Sequence, residues 1–320
     1  MITQLPVPDY VGAAPPRANV GSIDNRGIEI AVTYRNNIGK LNYDLSANFT
    51  KINNKVLSLG GATPLASGNV ISGLGNTTLT QVGKELAYYY GLKTNGIFHN
   101  QAEISAYTNA KGALIQPNAK PGDVKFMDIN GDGVISALDR TYLGSATNPS
   151  FSYGFSANFS YKAFDLKLFF QGVQGIELVN AESRYLEKTS NSTGSWPNFY
   201  EDRLNRWTAA NPSTNQPRMT TTDLNGNDQF SDRFVENGSY LRFKNLQLGY
   251  SLPKSLLSRF KSTGFRLYMA IDNLATFTKY RGFDPEVSEA ALGSDPLSYG
   301  VDYANYPQPR TFRLGLNVQF

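Results

Sequence analysis

The chain has 320 residues, 40% of them hydrophobic and 18% charged, with 19 Phe and 19 Tyr; this composition supports a large ordered structure and is too aromatic for disorder. The 30 basic and 26 acidic residues leave a formal charge of +4, and without a dense Lys/Arg run there is no electrostatic footprint for nucleic acid. Cysteine is absent, which excludes disulfides, thiol nucleophiles and Cys-ligated zinc sites, and His99 is the single histidine, so a serine triad would have no base but His99.

No run reaches the 18 apolar residues of a membrane helix, so any membrane span must be built from strands. Residues 1–20 hold the proline-broken segments Leu5-Pro6-Val7-Pro8 and Ala14-Pro15-Pro16-Arg17, with no basic n-region or apolar h-region. Met1 therefore reads as the edge of a fragment, with an export signal expected upstream. Ile28 to Tyr34 and Leu41 to Phe49 then alternate apolar and polar residues, which predicts strands near 27–51 joined through Asn36 to Lys40. A weaker candidate lies near 80–92, around Thr80 to Leu92.

The segment 150–173 predicts a long hairpin. Phe151, Tyr153, Phe155, Ala157, Phe159 and Tyr161 oppose Ser152, Gly154, Ser156, Asn158 and Ser160, and a tight turn at Lys162 and Ala163 starts the return strand. In 239–274, Leu241 to Leu252 breaks register near Lys244 and Asn245, as a bulge would, and Phe265 to Ile271 forms a further strand. The cluster Lys254, Arg259, Lys261 reads as a solvated turn. In 309–320, Phe312, Leu314, Leu316, Val318 and Phe320 share one face, and Arg313, Gly315, Asn317 and Gln319 the other.

This pattern defines an all-β protein. A soluble sandwich and a membrane barrel both have an apolar and a polar face, but strands of about ten residues, charge-free apolar faces and aromatic strand ends favour the barrel. So does the alternation of very short and very long connections. One inconsistency remains within this reading. If the turns at Asn36 to Lys40 and Lys162 to Ala163 lie on the same side, an even number of spanning strands separates Phe49 from Phe151, yet only 80–92 offers itself.

Residues 128–139 follow the spacing of an EF-hand loop: Asp128, Asn130, Asp132, Ser136 and Asp139 at positions 1, 3, 5, 9 and 12, Gly133 at position 6 and the Val134 carbonyl at position 7. The chemistry is that of a structural Ca2+ site, since alternate short oxygen side chains converge on one hard cation. Asp139 replaces the usual bidentate Glu, one methylene shorter, as in dockerin-like loops, and the plain alternative is a tight turn. Trp196, Phe199, Tyr200 and Trp207 stand among polar residues and suit stacking on a substrate, a small loop core or contact with a partner. His99 reads as a loop side chain, and Asp284 with Glu286 as loop structure, not a catalytic acid and base.

Six phrases in chain order resemble the C-terminal half of SusC/RagA-type TonB-dependent transporters of Bacteroidota. They are Asn19 to Glu29 (NVGSIDNRGIE), Tyr90 to Phe98 (YGLKTNGIF), Gly122 to Phe126 leading into Asp128 to Gly133, Asn237 to Tyr250 (NGSYLRFKNLQLGY), Asp272 to Leu274, and Gly282 to Glu286 (GFDPE). The resemblance implies the C-terminal part of a large antiparallel transmembrane β-barrel of about 22 strands. The segments 94–149 and 174–238 would be extracellular loops, and no plug domain is recognisable. It further implies a non-enzymatic protein of the bacterial outer membrane that imports oligosaccharides or peptides, with a SusD-like lipoprotein as lid and energy from the TonB complex. The terminal Phe320 resembles the aromatic signature by which such barrels are assembled, which would make the C-terminus natural. A siderophore receptor shares the fold, but the 128–139 loop and the ordered phrases argue against it. The competing expectation is a soluble or surface β-domain that binds calcium and carbohydrate without transport.

Overall fold

The structure is a computed structural model that describes residues 2–4, 17–19, 21–68, 74–190, 198–253, 257, 262–287 and 296–320. The short strands β1 (Ile2–Gln4) and β2 (Arg17–Asn19) pair with each other. The long strands β3 (Ser22–Ile38) and β4 (Leu41–Ser58) follow. Next come β5 (Leu65–Ser67), β6 (Thr78–Thr80), β7 (Tyr88–Gly91), β8 (Thr94–Ile97), helix α1 (Gln101–Ala106), β9 (Val124–Phe126) and β10 (Thr141–Gly144). The hairpin β11 (Phe151–Tyr161) and β12 (Phe164–Gln174) leads to β13 (Glu177–Asn180), α2 (Ser183–Leu186) and β14 (Val235–Asn237). The chain ends with β15 (Tyr240–Ser251), β16 (Gly264–Thr278), β17 (Val301–Asp302) and β18 (Thr311–Gln319).

Seven of these strands form one antiparallel sheet in the order β18-β16-β15-β12-β11-β4-β3. It is the wall of a barrel that does not close in this structure, since among the described residues β3 and β18 each have a neighbour on one side only. The cross-strand register separates an apolar from a polar face, with Phe169 an aromatic on the polar side, opposite Ser156 and Asn245. On the apolar face Tyr34 opposes Leu45, Leu45 opposes Ala157, Ala157 opposes Leu168, Leu168 opposes Leu246, Leu246 opposes Ile271 and Ile271 opposes Phe312. The other face carries Thr33, Ser46, Ser156, Asn245 and Asp272, with the ion pairs Arg35–Asp44, Arg266–Asp165 and Arg313–Asp272.

Large apolar side chains lie exposed on the first face, including Ile28, Val32, Leu267, Phe312 and Leu314, at 51–82% of their surface. Water would penalise this arrangement and lipid rewards it. Aromatics band both ends of that face. Tyr34 and Tyr43 (centroids 6.0 Å apart), Phe164 and Tyr250 (4.8 Å) and Tyr161 lie near the short turns. Phe49 with Phe151 (5.3 Å) and Phe170 with Phe243 (4.2 Å) lie toward the other end. Tyr153 and Tyr161 stand about 26 Å apart along β11 at ~3.3 Å per residue, which suits the apolar band of an outer-membrane barrel. Among the described residues no helix is long and apolar enough to cross a membrane.

The connections alternate. Gly39 and Lys40, with Gly39 at φ 63°, turn β3 into β4, and Lys162 at φ 54° with Ala163 turns β11 into β12. The other ends carry residues 59–150, 175–239 and 279–310. The structure corrects the expected spanning strand at 80–92: β4 pairs directly with β11, while β6 and β7 belong to a separate sheet, β10-β7-β6-β5. Among the described residues no spanning strand lies between Phe49 and Phe151; zero is even, and the inconsistency vanishes. Tyr88-Tyr89-Tyr90 misled because a buried loop strand has the same composition as a membrane strand; Tyr89 is fully buried in the core of the loops, not set against lipid.

Candidate functional site

The long connections fold together on the loop end of the wall. They share one core of Leu74, Tyr89, Ile176, Leu178, Phe230, Phe234, Tyr280 and Val301, drawn from all three segments. The small sheet β14-β13-β17 joins the second and third, and the Tyr89 hydroxyl donates to the Gly300 carbonyl at 2.9 Å, tying in the first. The loops are therefore one packed platform.

The platform is fastened to the wall by charges. Against β12 the register of β15 slips between Phe243 and Asn245, leaving Lys244 as the extra residue of a bulge, where the sequence placed it, while on the β16 side Asn273 and Leu274 oppose Lys244. Arg242 and Lys244 reach the same target. The Arg242 side chain is 2% exposed; it donates to Glu286 (2.7 Å), Asp284 and Thr276 (2.9 Å), and Lys244 donates to Glu286 at 2.6 Å. Asp284 also accepts the N–H of Gln308 and of Glu286, both at 2.9 Å. Burial pushes the Asp284 carboxyl up, but these amides and the guanidinium outweigh it, and the group is held below the usual carboxylate range. Asp284 and Glu286 thus clamp the loop after β16 onto the wall, as their reading as loop structure requires.

Arg281 fastens loop to loop. Its guanidinium binds Glu187, Glu236 (2.8 Å) and Asp202 (3.3 Å) and lies 5.4 Å from the centroid of the Tyr200 ring. Arg218 grips the fully buried Asp123 through two nitrogens, at 2.6 and 3.2 Å. Sequence reading singled out neither arginine, because no local spacing marks a pair of residues about a hundred positions apart. Of the aromatic candidates, Trp196 lies outside the described residues, as do Lys254, Arg259 and Lys261. Phe199 and Tyr200 are half-buried. Trp207 donates its indole N–H to the His99 carbonyl at 3.2 Å and packs over Gly122, where φ is 89° and a Cβ would strike the ring. His99 itself holds the loops, with Nδ1 2.8 Å from the Pro212 carbonyl.

The 128–139 loop wraps its own backbone. Asp128 accepts from the N–H groups of Gly131 (2.7 Å) and Gly133 (2.8 Å), Asn130 from Asp132, and Asp132 from Val134. Asp139 is fully buried and accepts from Ile129, Asn130 and Ser136. Burial alone would raise its pKa, yet the N–H groups of Ser136, Ile129 and Asn130 hold it below the usual range. All the donors named from the spacing therefore lie in one turn, in oxygen chemistry that suits a hard cation. Among the described residues no three Asp, Glu, His or Cys side chains stand close enough together to hold a metal ion. Phe320 follows β18 and is 90% exposed on the apolar face.

No family model matches the chain. It is 32% identical over 322 residues to the TonB-dependent receptor P3 of Formosa agariphila, covering 98% of this chain and 30% of that protein. It is 28% identical to the TonB-dependent receptor SusC of Bacteroides thetaiotaomicron, over 94% of this chain and 27% of that one. Among solved structures it is similar to the RagAB peptide transporter, with a TM-score of 0.75 at 25% identity over all of this chain and 32% of the matched one. The chain thus spans about 30% of the length of the relatives it matches. By sequence and by fold, what it forms is a portion of a TonB-dependent outer-membrane barrel. It is of the SusC/RagA type, and the bacterial outer membrane is its location.

Proposed function

We propose that the protein imports nutrients across the outer membrane, energised by the TonB complex, with this chain supplying part of the barrel wall and the packed loop platform above it. The observation that carries the reading is the pairing of a lipid-type outer face with an inner face laid with cross-strand ion pairs, in a chain that follows the RagAB peptide transporter along its whole length. The relatives named above are receptors and transporters, and the reading assigns no enzymatic step. The cargo would be an oligosaccharide or a peptide, and a SusD-like lipoprotein would sit on the platform as a lid. Phe199, Tyr200 and Trp207, with Trp196, would shape the surface that cargo or lid meets, and Phe320 would mark the strand for barrel assembly.

We further propose that Asp128, Asn130, Asp132, the Val134 carbonyl, Ser136 and Asp139 hold a structural Ca2+ that stiffens the platform. When bound, the cation would supply charge compensation to the carboxylates. Uptake of labelled peptide and labelled oligosaccharide by cells with and without the gene tests the import reading. Loss of uptake for one cargo is expected, and unchanged uptake of every cargo offered refutes it. Calcium titration of the purified protein tests the site: neither heat nor altered protease resistance of the loop would remove it.

A further inference from the structure

Where the platform meets the rim of the wall, a cleft of about 510 Å³ opens between the starts of β11 and β13 and the strand β10. Lys93, Tyr142, Asn148, Ser150, Glu177 and Asp232 contribute to its lining. Most of its polar groups are already engaged. Asp232 accepts from the Thr94 N–H (3.2 Å) and hydroxyl (2.7 Å), and Asn148 exchanges hydrogen bonds with the Asn54 backbone.

Glu177 is different. Its methylenes rest on Gly144, where a Cβ would collide with them. Its half-buried carboxylate makes no hydrogen bond or ion pair with any described residue, and burial is the sole cause that raises its pKa. Lys93 lines the same cleft, exposed and likewise without an ion pair among the described residues. An acid and a base therefore share one cleft without touching. Tyr142, backed by Tyr88 at 5.6 Å, presents an exposed ring beside them.

We propose that this cleft binds a short peptide by its charged ends, with Glu177 taking the free amino terminus, Lys93 the carboxylate, and the Tyr142 ring packing on the chain between. A neutral sugar could donate hydrogen bonds to Glu177 but would leave its partly desolvated charge uncompensated, whereas an ammonium supplies both. Opposite charges held apart select a ligand that carries the complementary pair at its two ends. The proposal deepens the import reading and rests on it only in taking the platform as the surface that meets cargo.

The test is calorimetry on the intact outer-membrane protein in detergent with four probes: trialanine, N-acetyl-trialanine, trialanine amide and maltotriose. On the wild type, acetylation is expected to weaken binding by about tenfold or more, equivalent to at least ~1.4 kcal/mol. Glu177→Gln should erase that difference, and Lys93→Met should weaken trialanine but not its C-terminal amide. Equal binding of free and acetylated peptide to the wild type, no binding of trialanine, or maltotriose binding with the same dependence on Glu177 would each overturn the proposal. Whole-cell uptake, compared with and without the gene, separates the two readings. Gene-dependent uptake with Glu177-independent binding removes the cleft alone, and uptake that does not depend on the gene, with Glu177-dependent binding, removes transport alone.

Discussion

Replacing Arg242 with Met tests whether the loop after β16 is held by charge. Methionine fills much of the arginine's aliphatic volume but supplies no donor. Asp284, whose side chain is 7% exposed, would keep the Gln308 and Glu286 amides and lose the guanidinium. Removing one partner of a buried pair costs about 3–5 kcal/mol. With two amide donors remaining, we take the lower end, about 3 kcal/mol, which is about a hundredfold in local opening. Hydrogen exchange of the purified protein in detergent reads this directly. Amides of Glu286 and Gln308 should exchange about a hundredfold faster, while those in mid β16 and β18 stay unchanged. Lys244→Met should cost under about 1 kcal/mol, because Glu286 is 26% exposed and still holds Arg242. Protection unchanged in Arg242→Met, or equal losses in the two variants, would refute the clamp. Acid should act in the same direction. The Asp284 pKa is depressed on folding, so its contribution is present above the ordinary carboxylate pKa and is lost as pH falls through the lower folded value.

Gly133→Ala places a Cβ at φ 88° against the Asn109 side chain. It should destabilise the 128–139 turn by about 1–2 kcal/mol, seen as faster proteolysis within the loop; unchanged cleavage would contradict the turn geometry. Trp207→Ala should free the segment from Gly122 and the His99 carbonyl at a cost of about 2–3 kcal/mol for a half-buried ring, read as lost exchange protection at Trp207 and Arg218, and protection that persists would sink it. Gly249→Val forces a side chain into the Asp165–Arg266 pair on the inner face. It should lower the folded, heat-modifiable fraction on a detergent gel, and a wild-type fraction would show that the inner face has room to spare. The 320-residue chain expressed alone leaves the outer edges of β3 and β18 unpaired and should aggregate without detergent; a monodisperse folded monomer in buffer would refute this.

The wall was legible in the sequence because membrane strands obey a local rule. Alternate residues face different solvents, so period-2 patterning in Phe151 to Tyr161 and in Thr311 to Gln319 fixes strand, face and length together. The bulge at Lys244 was legible for the same reason, as a break in that period. The 128–139 donor set was visible too, since its side chains bind their own backbone a few residues away. Thr80 to Leu92 reads as a spanning strand from its sequence because the burial that makes it apolar comes from Phe230 and Gly300, far along the chain, and no local pattern distinguishes a protein core from lipid.

The sequence by itself thus determined the two-faced strands, their turns at Gly39 and Lys162, and the oxygen-rich loop, all of which depend on neighbours in the chain. Only the tertiary structure decided that β4 pairs with β11 across the long loop between them. It alone showed that the loops share one core, and that Arg242, Arg281, Glu177 and Lys93 meet the partners or clefts they do. Those contacts join residues scores of positions apart, and a buried charge reveals its role only once the groups that surround it are in place.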